Sequence, residues 1–223
     1  YAVVDEQTLE VQSTQTRIER VCAAANLRHD DLQWMFGRSG EPAEGNAAVW
    51  QPQLDFLHRL AQRLKAAREQ VRGKPESYSR PDYSFKLLDQ QGEQPTGNER
   101  VQITQRARGE PLDLIVSELM VWANSTWGEW LKGLGVPAIY RSQAALAPGV
   151  KVRMSTRALP HAGMGVPSYC WGTSPLRRYV DLVNQWQIIA AARHGTTAPL
   201  AAPFKPKDTA LLAIISAFDA AYT

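Results

Sequence analysis

The 223-residue sequence contains two cysteines, Cys22 and Cys170, which lie far apart and outside any CxxC pair or zinc-ligand spacing. Such cysteines indicate neither a disulfide framework nor a zinc site, so we expect a reducing, cytoplasmic location. No apolar run reaches the roughly 18 to 20 residues needed to cross a bilayer, because charged residues or proline interrupt each candidate. The sequence therefore predicts no membrane segment and excludes a disulfide-rich secreted domain.

Common catalytic motifs are also missing, among them the P-loop, GxSxG and HExxH patterns, and the four histidines are scattered. Asp30 and Asp31 form an adjacent acidic pair. Neighbours on one strand point to opposite faces, so this pair is a poor metal site without convergent partners. We therefore expect no metal site within these 223 residues.

The composition is that of an ordinary globular protein, with 44% apolar and 21% charged residues. A net charge of +3 permits an anionic partner without requiring one, so the clustering of arginines matters more than their number. The chain starts at Tyr1 in a strand-like run without an initiator Met or signal peptide, which predicts the middle of a longer protein.

Apolar periodicity predicts an α+β fold, in which a mixed or antiparallel sheet packs against several helices. No internal repeat divides the chain, so residues 1–223 are interpreted as one unit. Hairpins are expected over 1–22 and 83–106, helices over 52–73, 111–131, 175–194 and 207–222, and further strands over 136–142 and 150–156.

The most informative segment covers residues 168–182. Ser174 and Pro175 suit the start of a helix, which predicts that Arg177 and Arg178 lie in its first turn. Cations oppose the partial positive charge of a helix N-terminus, so two of them there indicate a bound anion such as phosphate. The alternative is that Arg177 pairs with Asp181 one turn further on and that both arginines are solvated.

Two aromatic residues in the same segment, Tyr169 and Trp171, are candidates for stacking on nucleobases, or else they belong to the core.

The helix over 111–131 is apolar around most of its circumference. A carboxylate on such a helix needs a cation, a polar network or a wet cleft. For Glu118 we therefore consider a polar channel or a buried pair with an arginine. The polar side chains of this helix form a narrow strip that comprises Asp113, Ser117, Glu118, Asn124 and Ser125.

Three segments together resemble one known family. Residues 169–182, YCWGTSPLRRYVDL, are similar to the YAxxTSPIRRYxDL signature of the RNB exoribonucleases, the ribonuclease II family. Residues 116–124, VSELMVWAN, resemble the VEExMxxAN helix of that family, and residues 139–143, IYRSQ, resemble its LYRxHE strand. The sequence departs from the family at 142–143 and at 171–172, where Trp-Gly replaces a polar residue followed by an aromatic one.

The resemblance implies the C-terminal part of an RNB-type catalytic domain that degrades single-stranded RNA from the 3′ end to nucleoside 5′-monophosphates. It implies magnesium, bound by aspartates that precede this region, together with flanking OB-fold domains, so the 223-residue chain alone is expected to be inactive. It assigns Arg177 to the charge on the scissile phosphate and Glu118 to a supporting role in the RNA channel. The remaining RNA-binding candidates are Arg178, Tyr169, Arg141 and Asn124.

Two other functions remain open. A noncatalytic RNB relative would keep the RNA channel but lack the metal-binding aspartates. A structural or interaction domain would carry the same arginines as surface ion pairs. Steep salt dependence of RNA binding would distinguish either RNA-binding function from the structural domain.

Overall fold

The computed structural model describes residues 1–27, 49–77, 82–89, 92, 94–106 and 109–222. The acidic pair Asp30 and Asp31 lies outside these residues. The elements in chain order are β1 (Ala2–Val4), β2 (Val11–Thr14), α1 (Gln51–Arg72), β3 (Asp82–Leu88), β4 (Arg100–Arg106), α2 (Pro111–Gly133), β5 (Tyr140–Ser142), β6 (Arg153–Ser155), α3 (Tyr179–His194), α4 (Ala198–Ala201) and α5 (Thr209–Tyr222). The α+β prediction is confirmed.

The strands form antiparallel pairs, β1 with β2, β3 with β4 and β5 with β6. Both predicted hairpins are therefore present, and the second runs in register from Asp82 opposite Arg106 to Leu88 opposite Arg100. The first is shorter than predicted, since residues 15–27 that follow β2 adopt no regular structure. Within the described residues the strands make separate two-stranded ribbons, so the packing of helices α1, α2 and α3 carries most of the core.

Helix α1 follows its predicted apolar face and ends at Gly73, whose φ of 78° is left-handed and suits glycine. Leu54, Leu60 and Ala61 are buried on that face. The charged side chain of Arg68 is also buried and is only 7% exposed. A carboxylate on α2, that of Glu118, provides its partner in the interior.

Helix α2 is buried along one face and not around its whole circumference, since Val116 is 51% exposed. The predicted polar strip also divides. Glu118 and Asn124 are each 1% exposed, whereas Ser117 is exposed. The two most informative polar side chains of this helix therefore face the interior of the protein.

Strands β5 and β6 are shorter than the predicted strands over 136–142 and 150–156. A side chain replaces a strand neighbour at Ile139, because Asn184 of α3 accepts a hydrogen bond from its N–H at 2.8 Å and donates one to its carbonyl at 2.9 Å. The amide thus satisfies the backbone groups of an extended, fully buried segment without a third strand.

Helix α3 starts at Tyr179, four residues later than the predicted Pro175. Arg177 and Arg178 are therefore not in its first turn, and that prediction is wrong. Residues 174–178 form a separate turn in which the Ser174 carbonyl accepts hydrogen bonds from the N–H groups of Arg177 and Arg178. The cause is a side-chain contact, since the carboxylate of Asp181 accepts a hydrogen bond from the Ser174 N–H at 2.9 Å and holds this turn outside the helix.

The C-terminal part begins after His194, where a short 3-10 turn (Gly195–Thr197) leads into α4. Helix α5 packs next to β6, and Leu211 and Ile215 of α5 join a core cluster with Val180 and Val183 of α3. Among the helices of the described residues, none has the length and apolarity needed to cross a membrane.

Candidate functional site

The turn over residues 174–178 places two arginines in different environments. Arg178 is half-buried and binds Asp181 through two hydrogen bonds of 2.7 Å, from Nε and from Nη2. Asp181 is fully buried and also accepts the Ser174 N–H, so its carboxylate is saturated by three donors. Arg178 therefore has a structural partner already, which is the ion pair foreseen for its neighbour.

Arg177 has no such partner. Its side chain is exposed and makes no hydrogen bond or ion pair with the residues that the structure describes. The hydrogen bonds of Asp181 to Ser174 and Arg178 fix the turn that contains Arg177, so the Arg177 side chain projects from a rigid segment. A guanidinium in this position is available to a phosphate group, to which it can donate two parallel hydrogen bonds.

A third arginine, Arg141 of β5, approaches the same segment from the sheet. Its Cζ lies 4.4 Å from the ring centroid of Trp171, and the Cζ of Arg178 lies 4.2 Å from that centroid. Both distances are within the range of cation–π contact. Trp171 also meets Phe218 of α5 edge to face at 5.9 Å, so the indole is fixed by packing while its ring contacts two cations.

The predicted base-stacking role of Tyr169 is not available in this arrangement, because the side chain is only 6% exposed. It packs against Val121 and Val166, and its hydroxyl accepts a hydrogen bond from Asn124 at 3.3 Å. Trp171 presents its ring to arginines. The aromatic side chains of this segment therefore organise the site and are not free platforms for bases.

Asn124 anchors the segment to helix α2. Its side-chain oxygen accepts the Gly172 N–H at 3.0 Å, its side-chain nitrogen reaches Thr173 Oγ1 at 3.3 Å, and its carbonyl accepts the N–H of Cys170. Since Asn124 is buried and bonded on both sides of its amide, its direct contacts are with the protein. It acts by positioning the backbone on which the arginines stand.

The departure at Gly172 has a packing reason. A Cβ atom at this position would lie 3.1 Å from Cε3 of Trp127 and 3.2 Å from Cδ1 of Ile188. The indole of Trp127, on α2, thus occupies the space next to Gly172, so a side chain at this position would require Trp127 and Ile188 to move.

Glu118 lies at a second polar centre, between α1 and α2. It forms two hydrogen bonds with Arg68, of 2.8 Å to Nε and 2.5 Å to Nη2, and Arg68 also binds Glu76 at 3.1 Å and the Met164 carbonyl at 2.7 Å. Burial lowers the pKa of Arg68, but the hydrogen bonds and charges of Glu118 and then Glu76 raise it above the ordinary value. Glu118 is thus a member of a buried ion pair, the alternative that its sequence position allowed.

The pair lines a cavity of about 880 Å³ between β2, α1, α2 and the loop at Gly165. Other lining groups include Trp122, Ser125, Thr126 and Glu129. The cavity is therefore partly polar, but Arg177 and Arg178 are not among its described lining residues. The structure brings Arg141, Arg178, Tyr169 and Asn124 together around Trp171, and it assigns Glu118 to a separate centre.

The residues that the structure describes do not by themselves form a magnesium site. In the described part of the chain, no group of three or more His, Cys, Asp or Glu side chains converges. The carboxylate of Asp181 accepts three hydrogen bonds and that of Glu118 is paired with Arg68, so these two buried carboxylates already have partners within the protein. What these residues can do chemically is hold and polarise a phosphate with guanidinium groups.

A comparison with protein families decides the classification. The model of the RNB domain matches residues 2–150 and 149–194, which is most of the chain. The chain belongs to the RNB family. It is 30% identical over 101 residues to an uncharacterized ribonuclease of Synechocystis, a match that covers 35% of this chain and 15% of that protein.

Solved structures show the same RNB fold. An active-site mutant of the Dss1 exoribonuclease from Candida glabrata superposes with a TM-score of 0.57 at 19% identity, covering 83% of this chain and 26% of that one. RNase R from Mycoplasma genitalium, in complex with double-stranded RNA, gives 0.54 at 16% identity and covers 76% and 37%. The chain thus spans about a third or less of the relatives it matches, and these low identities show the fold alone.

The sequence did not indicate three residues that shape these centres. Nothing in the sequence distinguishes Arg68 from the other charged residues on α1. His161 lies next to Tyr169, with ring centroids 5.9 Å apart. Asp181 was considered only as a partner of Arg177, although its spacing of three from Arg178 is equally suited to an ion pair. That spacing was the available signal for the turn that displaces the start of α3.

Proposed function

We propose that this chain is part of a hydrolytic exoribonuclease that degrades single-stranded RNA from the 3′ end and releases nucleoside 5′-monophosphates. The observation that carries the proposal is the exposed, unpartnered guanidinium of Arg177 on a turn fixed by Asp181. Membership of the RNB family supports the ribonuclease chemistry, and the RNA bound to Mycoplasma genitalium RNase R supports an RNA substrate. Magnesium and a cytoplasmic location are part of the proposal.

In this reaction the guanidinium of Arg177 offsets negative charge that develops on the nonbridging oxygens of the scissile phosphate. Its planar fork orients the phosphate as well as neutralising it. The hydrogen bonds of Asn124 to Gly172 and of Asp181 to Ser174 hold the backbone segment that carries Arg177, so the position of this segment is set before the substrate arrives. The described residues contain no convergent group of three or more His, Cys, Asp or Glu side chains, so this part of the chain contributes phosphate-binding arginines and not the metal ligands.

Product analysis tests the proposal. The protein that carries this chain together with the aspartates that the family implies should convert RNA labelled at its 5′ end into a ladder shortened from the 3′ end. The released product should be nucleoside 5′-monophosphate, and magnesium should be required. Tight, salt-dependent binding without any cleavage would instead show the noncatalytic RNA-binding relative, and internal cuts would contradict the exonuclease.

A further inference from the structure

Two arginines contact the same indole, and only one of them has a carboxylate. Arg178 binds the fully buried Asp181 through two hydrogen bonds of 2.7 Å. The side chain of Arg141 makes no hydrogen bond or ion pair with the described residues, and it contacts the Trp171 ring, with its Cζ 4.4 Å from the ring centroid. The two side chains thus form a matched pair with one difference, the presence of a counter-charge.

The unpaired charge of Arg141 destabilises the folded chain. The side chain is half-buried, and burial of a cation without a partner costs solvation free energy. Burial lowers the pKa of Arg141, the neighbouring Tyr169 offsets part of this, and the positive charge of Arg178 lowers it further. The ring of Trp171 attracts and orients the guanidinium, but it carries no net charge and cannot neutralise it.

We propose that Arg141 is a second phosphate-binding residue of the RNA site, presented by Trp171, whereas the charge of Arg178 is used within the protein by Asp181. This inference rests on the proposed function, since the anion is taken to be an RNA phosphate. It changes the expectation from the sequence, in which Arg178 and Arg141 had equal standing as RNA-binding candidates. The RNA site then contains two available cations, Arg177 and Arg141.

The number of phosphates that a protein neutralises can be counted from salt dependence. For single-stranded nucleic acid, the logarithm of the association constant falls with the logarithm of salt concentration by about 0.7 per phosphate contact. Binding of a short labelled single-stranded RNA to the 223-residue chain, measured by fluorescence anisotropy across a salt series, gives this slope. Arg141→Gln should reduce its magnitude by about 0.7, whereas the matched variant Arg178→Gln should leave it unchanged.

Thermal denaturation of the same variants separates a binding role from a structural one. Arg141→Gln removes an unpaired charge next to another cation, so its melting temperature should equal or exceed that of the parent. Arg178→Gln leaves the buried Asp181 without its ion pair, so its melting temperature should fall. Arg141→Lys keeps the charge and should restore the parent slope.

An unchanged slope in folded Arg141→Gln would overturn the proposal, and so would a lowered melting temperature or loss of folding in that variant. A slope reduced equally by Arg178→Gln would overturn the division between the two arginines. If the parent shows no salt-dependent RNA binding, the proposed function fails by itself. Arg141 is then tested with inorganic pyrophosphate, which should raise the melting temperature of the parent and of Arg178→Gln but not of Arg141→Gln.

Discussion

Buried and half-buried arginines are compensated in one part of this molecule and left uncompensated in another. Arg68, between α1 and α2, binds two carboxylates and a backbone carbonyl. Arg141, next to the turn before α3, has an aromatic ring and no acceptor among the described residues. The first arginine is fully explained by the fold. The second, with the exposed Arg177, is explained only when an anion is added.

The comparison also separates the two candidate catalytic residues that the family resemblance implied. Glu118 belongs to the compensated centre, where its carboxylate is occupied by Arg68. Arg177 belongs to the uncompensated one. The charge of Glu118 is used within the protein, which stabilises the fold, whereas the exposed guanidinium of Arg177 is available to a ligand. We therefore expect changes at Glu118 to affect stability first and changes at Arg177 to affect the reaction first.

The largest expected effect is a complete lack of catalysis by residues 1–223 expressed alone. An uncompensated cationic centre can hold phosphate but cannot hold a divalent metal, and the described residues offer no convergent carboxylates. Purified chain should release no mononucleotide from single-stranded RNA with magnesium or manganese. Joining it in one chain to a segment that supplies the family's aspartates should restore metal-dependent release, and robust release by the isolated chain would contradict the assignment.

The next effect concerns Arg177 in the catalytically competent protein. Arg177→Ala should lower the single-turnover cleavage rate by about 100- to 1000-fold, the usual effect of removing one preorganised donor to a developing charge. RNA binding should weaken much less, because the contact strengthens mainly in the transition state. Arg177→Lys should restore little, since an ammonium group lacks the planar fork.

Decay of a 5′-labelled RNA under single-turnover conditions measures this effect. Arg193→Ala is the matched control, because Arg193 is an exposed arginine in the last turn of α3. Its rate should equal that of the parent. A rate for Arg177→Ala within about threefold of the parent would remove Arg177 from the reaction.

The compensated centre should respond through stability. Glu118→Ala leaves the guanidinium of Arg68 buried without its main partner, which should lower the free energy of unfolding by about 3 to 5 kcal/mol. Glu118→Gln should cost less, because the amide oxygen still accepts a hydrogen bond. The exposed pair of Arg100 and Asp89 is the control, and Arg100→Gln should change stability by less than about 1 kcal/mol.

Urea denaturation of the folded variants provides these free energies. The double variant Arg68→Met, Glu118→Leu sharpens the comparison further, since replacing both charges by apolar groups of similar volume should recover most of the lost stability. Equal losses for Glu118→Ala and Arg100→Gln would show that the Arg68 centre is no more than a surface ion pair.

The sequence was sufficient for the elements whose pattern is local. Helical periodicity and a left-handed Gly73 determine α1, and alternation determines the hairpin of β3 and β4. It was insufficient where a single side chain decides between alternatives. The carboxylate of Asp181 binds Ser174 and Arg178 and moves the start of α3 by four residues, and Asn184 satisfies the backbone of Ile139 in place of a strand.

The same limit of sequence patterns explains why the environments of the site residues could not be predicted. The segment 169–182 contains both candidate arginines, but nothing local distinguishes Arg177 from Arg178, because the difference lies in which of them the Asp181 carboxylate reaches. Burial of Tyr169 depends on the loop around Val166, and burial of Arg68 depends on Glu118, 50 positions away in the chain. Tertiary contacts assign charge and exposure, which sequence patterns describe only on average.

A buried histidine near the uncompensated cations provides the last comparison. His161 is 4% exposed, its Nδ1 accepts the Met164 N–H at 3.3 Å, and its Nε2 has no partner among the described residues. Burial lowers the pKa of His161 to about 4, and the positive charge of Arg141 contributes to this shift. The imidazole therefore stays neutral at physiological pH and adds no further positive charge next to Arg141.

The expected consequence is a loss of stability in acid. Above pH 6.5 His161 is neutral in both the folded and the unfolded chain, so it contributes nothing there. Between pH 6.5 and about 4 the unfolded chain binds the proton more readily, so the free energy of unfolding decreases as the pH falls. The full decrease, about 3 kcal/mol, follows from the separation of the two pKa values.

Urea denaturation at pH 7 and pH 4.5 should show a smaller decrease for His161→Asn, whose side-chain oxygen can still accept the Met164 N–H, than for the parent. His194→Asn, at an exposed histidine, should keep the parent's pH dependence. Equal pH dependence in His161→Asn and the parent would mean that the pKa of His161 is the same in the folded and the unfolded chain, and it would contradict the prediction that burial keeps this imidazole neutral in acid.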